Sequence, residues 1–159
     1  MINYKIPGRL HQNDTLQLAE LVDGKCVLQL GCYCGRGLLV VANVAVKTWV
    51  LDDFVYPGGV EGVVEELKAN VNRLADLDDV IYLLYGTVDN WAIPLGSEPL
   101  QPERIEVVYR DANRPAKERE RDERFALGVL HGRKGIYAWH DEDHNLRWLK
   151  IEPVPVEVN

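Results

Sequence analysis

What the 159-residue chain lacks narrows it first. It has only three cysteines, Cys26, Cys32 and Cys34. An odd number gives no disulfide framework and suits a reducing, cytoplasmic setting. No fourth ligand lies at zinc-finger spacing from them. Positive charge is short as well: 18 Lys and Arg against 25 Asp and Glu leave a net charge of −7. That balance argues against a general nucleic-acid or anionic-membrane surface. No apolar run approaches the roughly 20 residues that span a bilayer. The opening Met1-Ile2-Asn3-Tyr4-Lys5 lacks the charged-then-apolar order of a signal peptide.

What is present is enough for a core. Apolar residues make up 47% of the chain, and its length fits one domain. The most informative stretch is Val27-Leu28-Gln29-Leu30-Gly31-Cys32-Tyr33-Cys34-Gly35-Arg36-Gly37. A mostly apolar run leads into a turn with three glycines, and the apolar segment Leu38 to Val46 follows. That order predicts a buried parallel strand, a tight turn and a helix. A helix starting there aims its free N–H groups and positive dipole end at whatever occupies the turn, so a ligand with a negative or acceptor group is expected.

Along the chain, Thr15 to Val22 reads as a short helix capped by Asp14 or Thr15, and Cys26 to Leu30 as the first strand. Lys47 to Asp53 reads as a second strand ending in carboxylates. Val60, Val63, Val64, Leu67, Val71 and Leu74 recur at helical spacing. Val80 to Tyr85 is a third strand, from which Gly86 to Trp91 turns away. Ile105 to Tyr109 is a fourth, and Pro115 opens a helix whose charged run, Lys117 to Arg124, forms a solvated face. Ile136 to Trp139 is a fifth strand, ending in His140-Asp141. Leu146 to Glu152 and Val154 to Val158 read as closing strands, with Pro153 and Pro155 marking an edge. The expected fold is α/β: an open, mainly parallel sheet with helices on both faces and a C-terminal edge strand or hairpin. Residues 1–25 would form an N-terminal segment, 26–141 the ligand-binding core and 142–159 the closing strands. Ligands of such sheets bind beyond the carboxyl ends of the strands, where strand order reverses. The glycine turn, Asp52, Asp89, Asp111 and His140-Asp141 all fall there.

Together these strand-end residues resemble the Rossmann-like S-adenosylmethionine-dependent methyltransferases. The branch most alike pairs a glycine turn with an "I-D-G-x-H" segment and a later "H-D". The resemblance covers residues 24 to 141. It implies that Gly31, Cys32, Tyr33 and Gly35 surround the methionine part of the cofactor. By the same resemblance Asp52 binds the ribose, and Gly86-Thr87-Val88-Asp89 lies beside the adenine. Tyr109-Arg110-Asp111-Ala112-Asn113-Arg114 is similar to the "I-D-G-x-H" segment, and Gly135 to Asp141 to the fifth strand with its "H-D". The chain departs from the pattern in three respects: Gln29 and Thr87 stand in place of acidic residues, Arg110 charges a normally apolar strand end, and no helix follows the "H-D".

The chemistry of these residues is consistent with that reading. A carboxylate at position 52 accepts from two vicinal hydroxyls at once, with Asp53 the second choice. Asp111 and Asp141, with Glu142, Asp143 and His144 beyond, suit a hard cation such as Mg²⁺. His140 suits a general base. Trp91 is placed to flank an adenine, while Trp49, Trp139 and Trp148 read as core or pocket wall. Gly31, Gly35 and Gly37 also resemble the turn of short-chain dehydrogenases, but none of the seven tyrosines has a lysine four residues on. The expected function is transfer of a methyl group to an oxygen or nitrogen of a small acceptor. The alternatives are a non-catalytic cofactor-binding or interaction domain and a metal-dependent enzyme on the same scaffold. No membrane association is expected, and the predicted edge strand makes a homodimer feasible.

Overall fold

The computed structural model describes residues 9–54, 67, 69, 81–92 and 98–153. After a single 3-10 turn, α1 spans Thr15–Val22, β1 Cys26–Leu30, α2 Arg36–Val44 and β2 Lys47–Asp52. Then come β3, Ile81–Thr87, β4, Asn90–Ala92, β5, Val107–Arg110, and α3, Arg119–Val129. β6, Gly135–His140, and β7, Leu146–Ile151, complete the described part. The strands form one sheet in the order β4-β3-β2-β1-β5-β6-β7. β3, β2, β1, β5 and β6 are parallel, and the outer pairs β3–β4 and β6–β7 are antiparallel.

The fold class read from the sequence is therefore the fold observed, and the reason is visible in β1. All five of its residues are buried, as a strand covered on both faces requires. Leu28 and Leu30 join one core cluster with Trp49, Leu51 and Leu84, under Ala126 of α3 and Leu130 at its C-cap. Val27 points the other way, into a cluster with Leu18, Leu21 and Val22 of α1 and Val40 and Val41 of α2. Each such side chain contributes roughly 1.5–3 kcal/mol by leaving water. The same alternation fixes register, because a one-residue slip would turn every side chain to the wrong face.

Two details differ from the expectation. The chain does not simply turn away after Tyr85: β3 continues to Thr87 and folds back as the short strand β4, with Tyr85 opposite Ala92. This places Trp91 against the α3-side core. Helix α2 begins at Arg36 rather than Leu38, because Gly35, at φ +97°, occupies the left-handed conformation that lets the chain enter a helix at once. The helix expected over 60–74 lies outside the described residues except for Leu67 and Ala69, which are helical. Val154 to Val158 also lies outside them.

Strand order reverses between β1 and β5, since the chain builds outward from β1 through β2 and β3, then returns to β5 on the other side. The end of β1 is thus the topological switch point, where open α/β sheets bind ligands. Among the described residues no helix is long and apolar enough to cross a membrane.

Candidate functional site

The glycine turn lies at that switch point and is bound to both neighbouring strands. Gly31 N–H donates to the carbonyl of Leu51, and Asp111 N–H to that of Leu30. The side chain of Asp52 completes the tie. Its Oδ2 accepts from Cys32 N–H at 2.7 Å and its Oδ1 from Phe54 N–H at 2.8 Å. Asp52 is fully buried. The loops it joins each contain an aromatic residue in the left-handed region, Tyr33 at φ 48° and Phe54 at φ 58°. Such strain in a bulky residue persists only where surrounding bonds enforce it. Here one carboxylate does so for both loops. Asp53, the next residue, is partly exposed.

Asp111 faces the turn from β5. A Cβ on Gly37 would stand 2.8 Å from Asp111 Oδ2 and 3.3 Å from the Tyr109 hydroxyl, so only glycine lets the first turn of α2 approach this closely. Asp111 Oδ1 accepts from the backbone and side-chain N–H groups of Asn113, at 2.9 and 3.0 Å. Burial pushes Asp111 up to about 6, with the Asn113 bonds pulling down and the Asp52 charge pushing up. The Cys32 thiol is raised well above its ordinary range by its own burial and by the charges of Asp52 and Asp111, which keeps it protonated.

Behind Asp111, Tyr109 and His140 form a buried pair. His140 Nδ1 lies 3.0 Å from the His144 carbonyl, which can only accept, so Nδ1 carries the proton. Nε2 then accepts from the Tyr109 hydroxyl at 2.8 Å. Burial lowers His140 below the usual imidazole value, so it is neutral at pH 7.

The structure thus gathers Gly31, Cys32, Gly35, Asp52 and Asp111 around the switch point, with His140 one hydrogen bond behind. Tyr33 stands in the turn itself, whereas Asp89, Trp91 and Asp141 are engaged elsewhere. Asp89, at the tip of the β3–β4 hairpin, is exposed and pairs with Arg121 of α3 at 3.3 Å. Trp91 packs in the α3-side core, whereas Cys32 and Cys34 pack with Leu38 and Leu39 on the α2 side. Asp141 caps its own turn, accepting from the N–H groups of Asp143 and Asn145, and pairs with Arg147 at 2.9 Å. Among the described residues no group of three or more His, Cys, Asp or Glu is placed to hold a metal ion. The Mg²⁺ expected at Asp111 and Asp141 therefore has no ligand set here.

Sequence reading missed a further unit. Arg110 and Arg114 both reach the buried Asp122, Arg110 Nε at 2.8 Å and Arg114 Nη2 at 2.7 Å. The signal was Arg110 itself, a charge on a strand end where burial demands a partner.

The Asp111 environment has a consequence for stability. A free carboxyl of 3.8 has become one of about 6. At 1.36 kcal/mol per tenfold change in proton affinity, the ionised form costs the fold about 3 kcal/mol. The folded state holds this proton more tightly than the unfolded chain, so the cost is absent well below the free value of 3.8, grows as pH rises from there to about 6 and is complete by pH 8. Asp111→Asn is therefore expected to raise stability by about 3 kcal/mol at pH 8 and by only about 0.5 kcal/mol at pH 4. Urea unfolding midpoints at the two pH values measure this, and equal shifts at both would contradict it.

No family model matches the sequence, and no curated protein does either. Solved structures do resemble the fold. A precorrin 8w decarboxylase of Methanobacterium thermoautotrophicum aligns with a TM-score of 0.55 at 18% identity, over 87% of this chain and 68% of its own. An rRNA methylase of Streptococcus thermophilus aligns at 0.53 and 18% identity, over 80% and 67%. A candidate methyltransferase of Streptococcus mutans, crystallised with S-adenosylhomocysteine, aligns at 0.55 and 11% identity, over 80% and 69%. The chain spans about two thirds of the length of each. At these identities the likeness is one of fold: the Rossmann-like sheet of this chain is shared with methyltransferases.

Proposed function

We propose that this chain is an S-adenosylmethionine-dependent methyltransferase domain that methylates an oxygen or nitrogen of a small acceptor. The observation that carries the reading is the start of α2 at the switch point, with its Gly37 backbone bare against the carboxylate of Asp111. A glycine-bounded helix start at this place in such a sheet suits a ligand that needs close backbone approach.

The residues present fit the cofactor. Gln29 donates from Nε2 to the Gly31 carbonyl at 3.0 Å, which leaves its buried Oε1 without a donor among the described residues. That orphaned acceptor, directly before the turn, matches an ammonium group. Gly31, Cys32, Tyr33 and Gly35 would hold the methionine part. Asp53 would take the ribose hydroxyls in place of Asp52, whose two oxygens already hold Cys32 and Phe54. The bound cofactor supplies a methyl group made electrophilic by its sulfonium.

The chain's own part is to align an acceptor and to receive its proton. Asp111 suits the second task, since a carboxyl near 6 is largely ionised at pH 7 yet still basic enough to accept. His140 acts through Tyr109 and is a positioning residue: its lone pair fixes the Tyr109 hydroxyl beside Asp111 and Gly37. Metal assistance is not part of this reading. The net charge of −7 favours a small acceptor over an RNA.

Calorimetric titration with S-adenosylhomocysteine tests the proposal. Micromolar binding is expected, and no binding at millimolar ligand would overturn it in favour of an interaction domain. Asp53→Ala is expected to weaken that binding about 10- to 150-fold, the loss of a charge-assisted pair of bonds. Unaltered affinity would remove Asp53 from the site.

A further inference from the structure

A small cavity of about 160 Å³ opens beyond the carboxyl ends of β5 and β6, and arginines dominate its lining. Arg9 precedes α1, Arg110 ends β5, Arg114 lies in the following loop and Arg119 begins α3. The opposite wall is the β6–β7 turn, with His140, Asp141 and Glu142.

Positive charge is in excess, with four arginines in the lining against the carboxylates of Asp141 and Glu142. Asp141 is held by Arg147 and by the amides of its own turn. Asp122, behind the cavity, lies between Arg110 and Arg114 and carries one charge against their two. Glu118 reaches Arg114 only at 3.5 Å. Arg9 and Arg119 have no ion pair among the described residues. The two buried guanidinium groups are also pre-positioned. Arg110, 2% exposed, is fixed through Nε by Asp122 and through Nη2 by the Pro115 carbonyl at 2.6 Å. Its Nη1 has no acceptor among the described residues. Arg119 Nε is buried without a partner among the described residues. Donors so arranged suit a compact oxyanion, because guanidinium forks bind carboxylate and phosphate oxygens in pairs. At this volume the cavity holds a head group and not a whole substrate.

Its position says whose head group. Ala112 lines the cavity, and its neighbour Asp111 lies over Gly37. His140 lines it too, while its Nε2 is bonded to Tyr109 on the glycine-turn side. The Tyr109–Asp111–His140 group is therefore the wall between cavity and turn. We propose that the arginine cavity binds the anionic group, carboxylate or phosphate, of the methyl acceptor. The acceptor role rests on the methyltransferase reading above.

The test titrates inorganic phosphate and, separately, succinate into the full chain at low salt and pH 7, with S-adenosylhomocysteine titrated in parallel. The double variant Arg9→Gln/Arg119→Gln removes two charges and leaves the buried Arg110–Asp122–Arg114 unit intact. Expected are millimolar binding of one anion, about tenfold or more weaker in the double variant, and unchanged affinity for S-adenosylhomocysteine. Tighter phosphate assigns a phosphorylated acceptor, and tighter succinate a carboxylic acid. If neither anion binds, or the double variant binds them equally well, the cavity proposal is overturned even where S-adenosylhomocysteine binds. Anion binding in a protein that ignores S-adenosylhomocysteine overturns the acceptor role with the methyltransferase reading and leaves an anion site.

Discussion

Asp122→Ala is expected to destabilise the fold by about 3–5 kcal/mol, the cost of leaving buried charge uncompensated. Asp122 has no exposed surface, and its partners Arg110 and Arg114 are 2% and 5% exposed. Its Oδ2 accepts from Arg110 Nε at 2.8 Å and from Arg114 Nε at 3.1 Å, and its Oδ1 from Arg114 Nη2 at 2.7 Å. Without it, two guanidinium groups stay out of water, with Glu118 3.5 Å from Arg114. Two arginines cannot discharge themselves by losing protons, since their affinity for protons is too high. The midpoint of urea unfolding measures the loss. The triple variant Asp122→Leu/Arg110→Met/Arg114→Leu should recover most of it, because apolar replacement of a whole buried ionic group is commonly neutral or better. A single Asp122→Ala change costing under about 1 kcal/mol would mean that the three charges reach water more easily than their burial indicates.

Asp52→Ala is expected to cost about 2–6 kcal/mol, from two buried amide donors left unpaired at about 1–3 kcal/mol each. The amides are those of Cys32 and Phe54, one in each loop that the carboxylate joins. Tyr33 and Phe54 would then be free to leave the left-handed region, which adds local disorder to the lost bonds. The paired comparison is decisive. Asp52→Ala should lower the melting temperature far more than Asp53→Ala, which should act chiefly on S-adenosylhomocysteine affinity. An Asp52→Ala protein that melts normally but no longer binds the ligand would return the ribose role to Asp52.

The contrast between Asp52 and Asp53 shows where sequence reading stops. Both carboxylates end the same strand, and a strand-end acid suits vicinal hydroxyls by its chemistry. Which of the two turns inward depends on where neighbouring loops offer amides, and that is a property of packing. Asp89 and Trp91 illustrate the same limit. Their place after the third strand resembled an adenine neighbour, but β4 folds back and carries Trp91 to the α3 face. Asp141 follows the fifth strand as expected, yet the amides of Asp143 and Asn145 and the side chain of Arg147 take up its oxygens. Tyr109 was legible as a strand residue at the head of the segment similar to "I-D-G-x-H". Its role appears once β5 and β6 lie side by side and its hydroxyl meets His140.

The sequence by itself determined the sheet, because apolar runs spaced by helical segments have one economical way to bury both faces of a parallel strand. It also determined the glycine turn and its place after β1, since Gly35 at φ +97° and Gly37 under Asp111 admit no larger residue without displacement. Only the tertiary structure decided the partners of the charges. Arg110, Arg114 and Asp122 are separated along the chain and meet because β5 and α3 pack together, and burial then forces them to pair. Arg9 and Arg119 gather at one cavity in the same way. Hydrophobic pattern is written locally in the period of the sequence, whereas the pairing of buried charge depends on distances that exist only after the chain has folded.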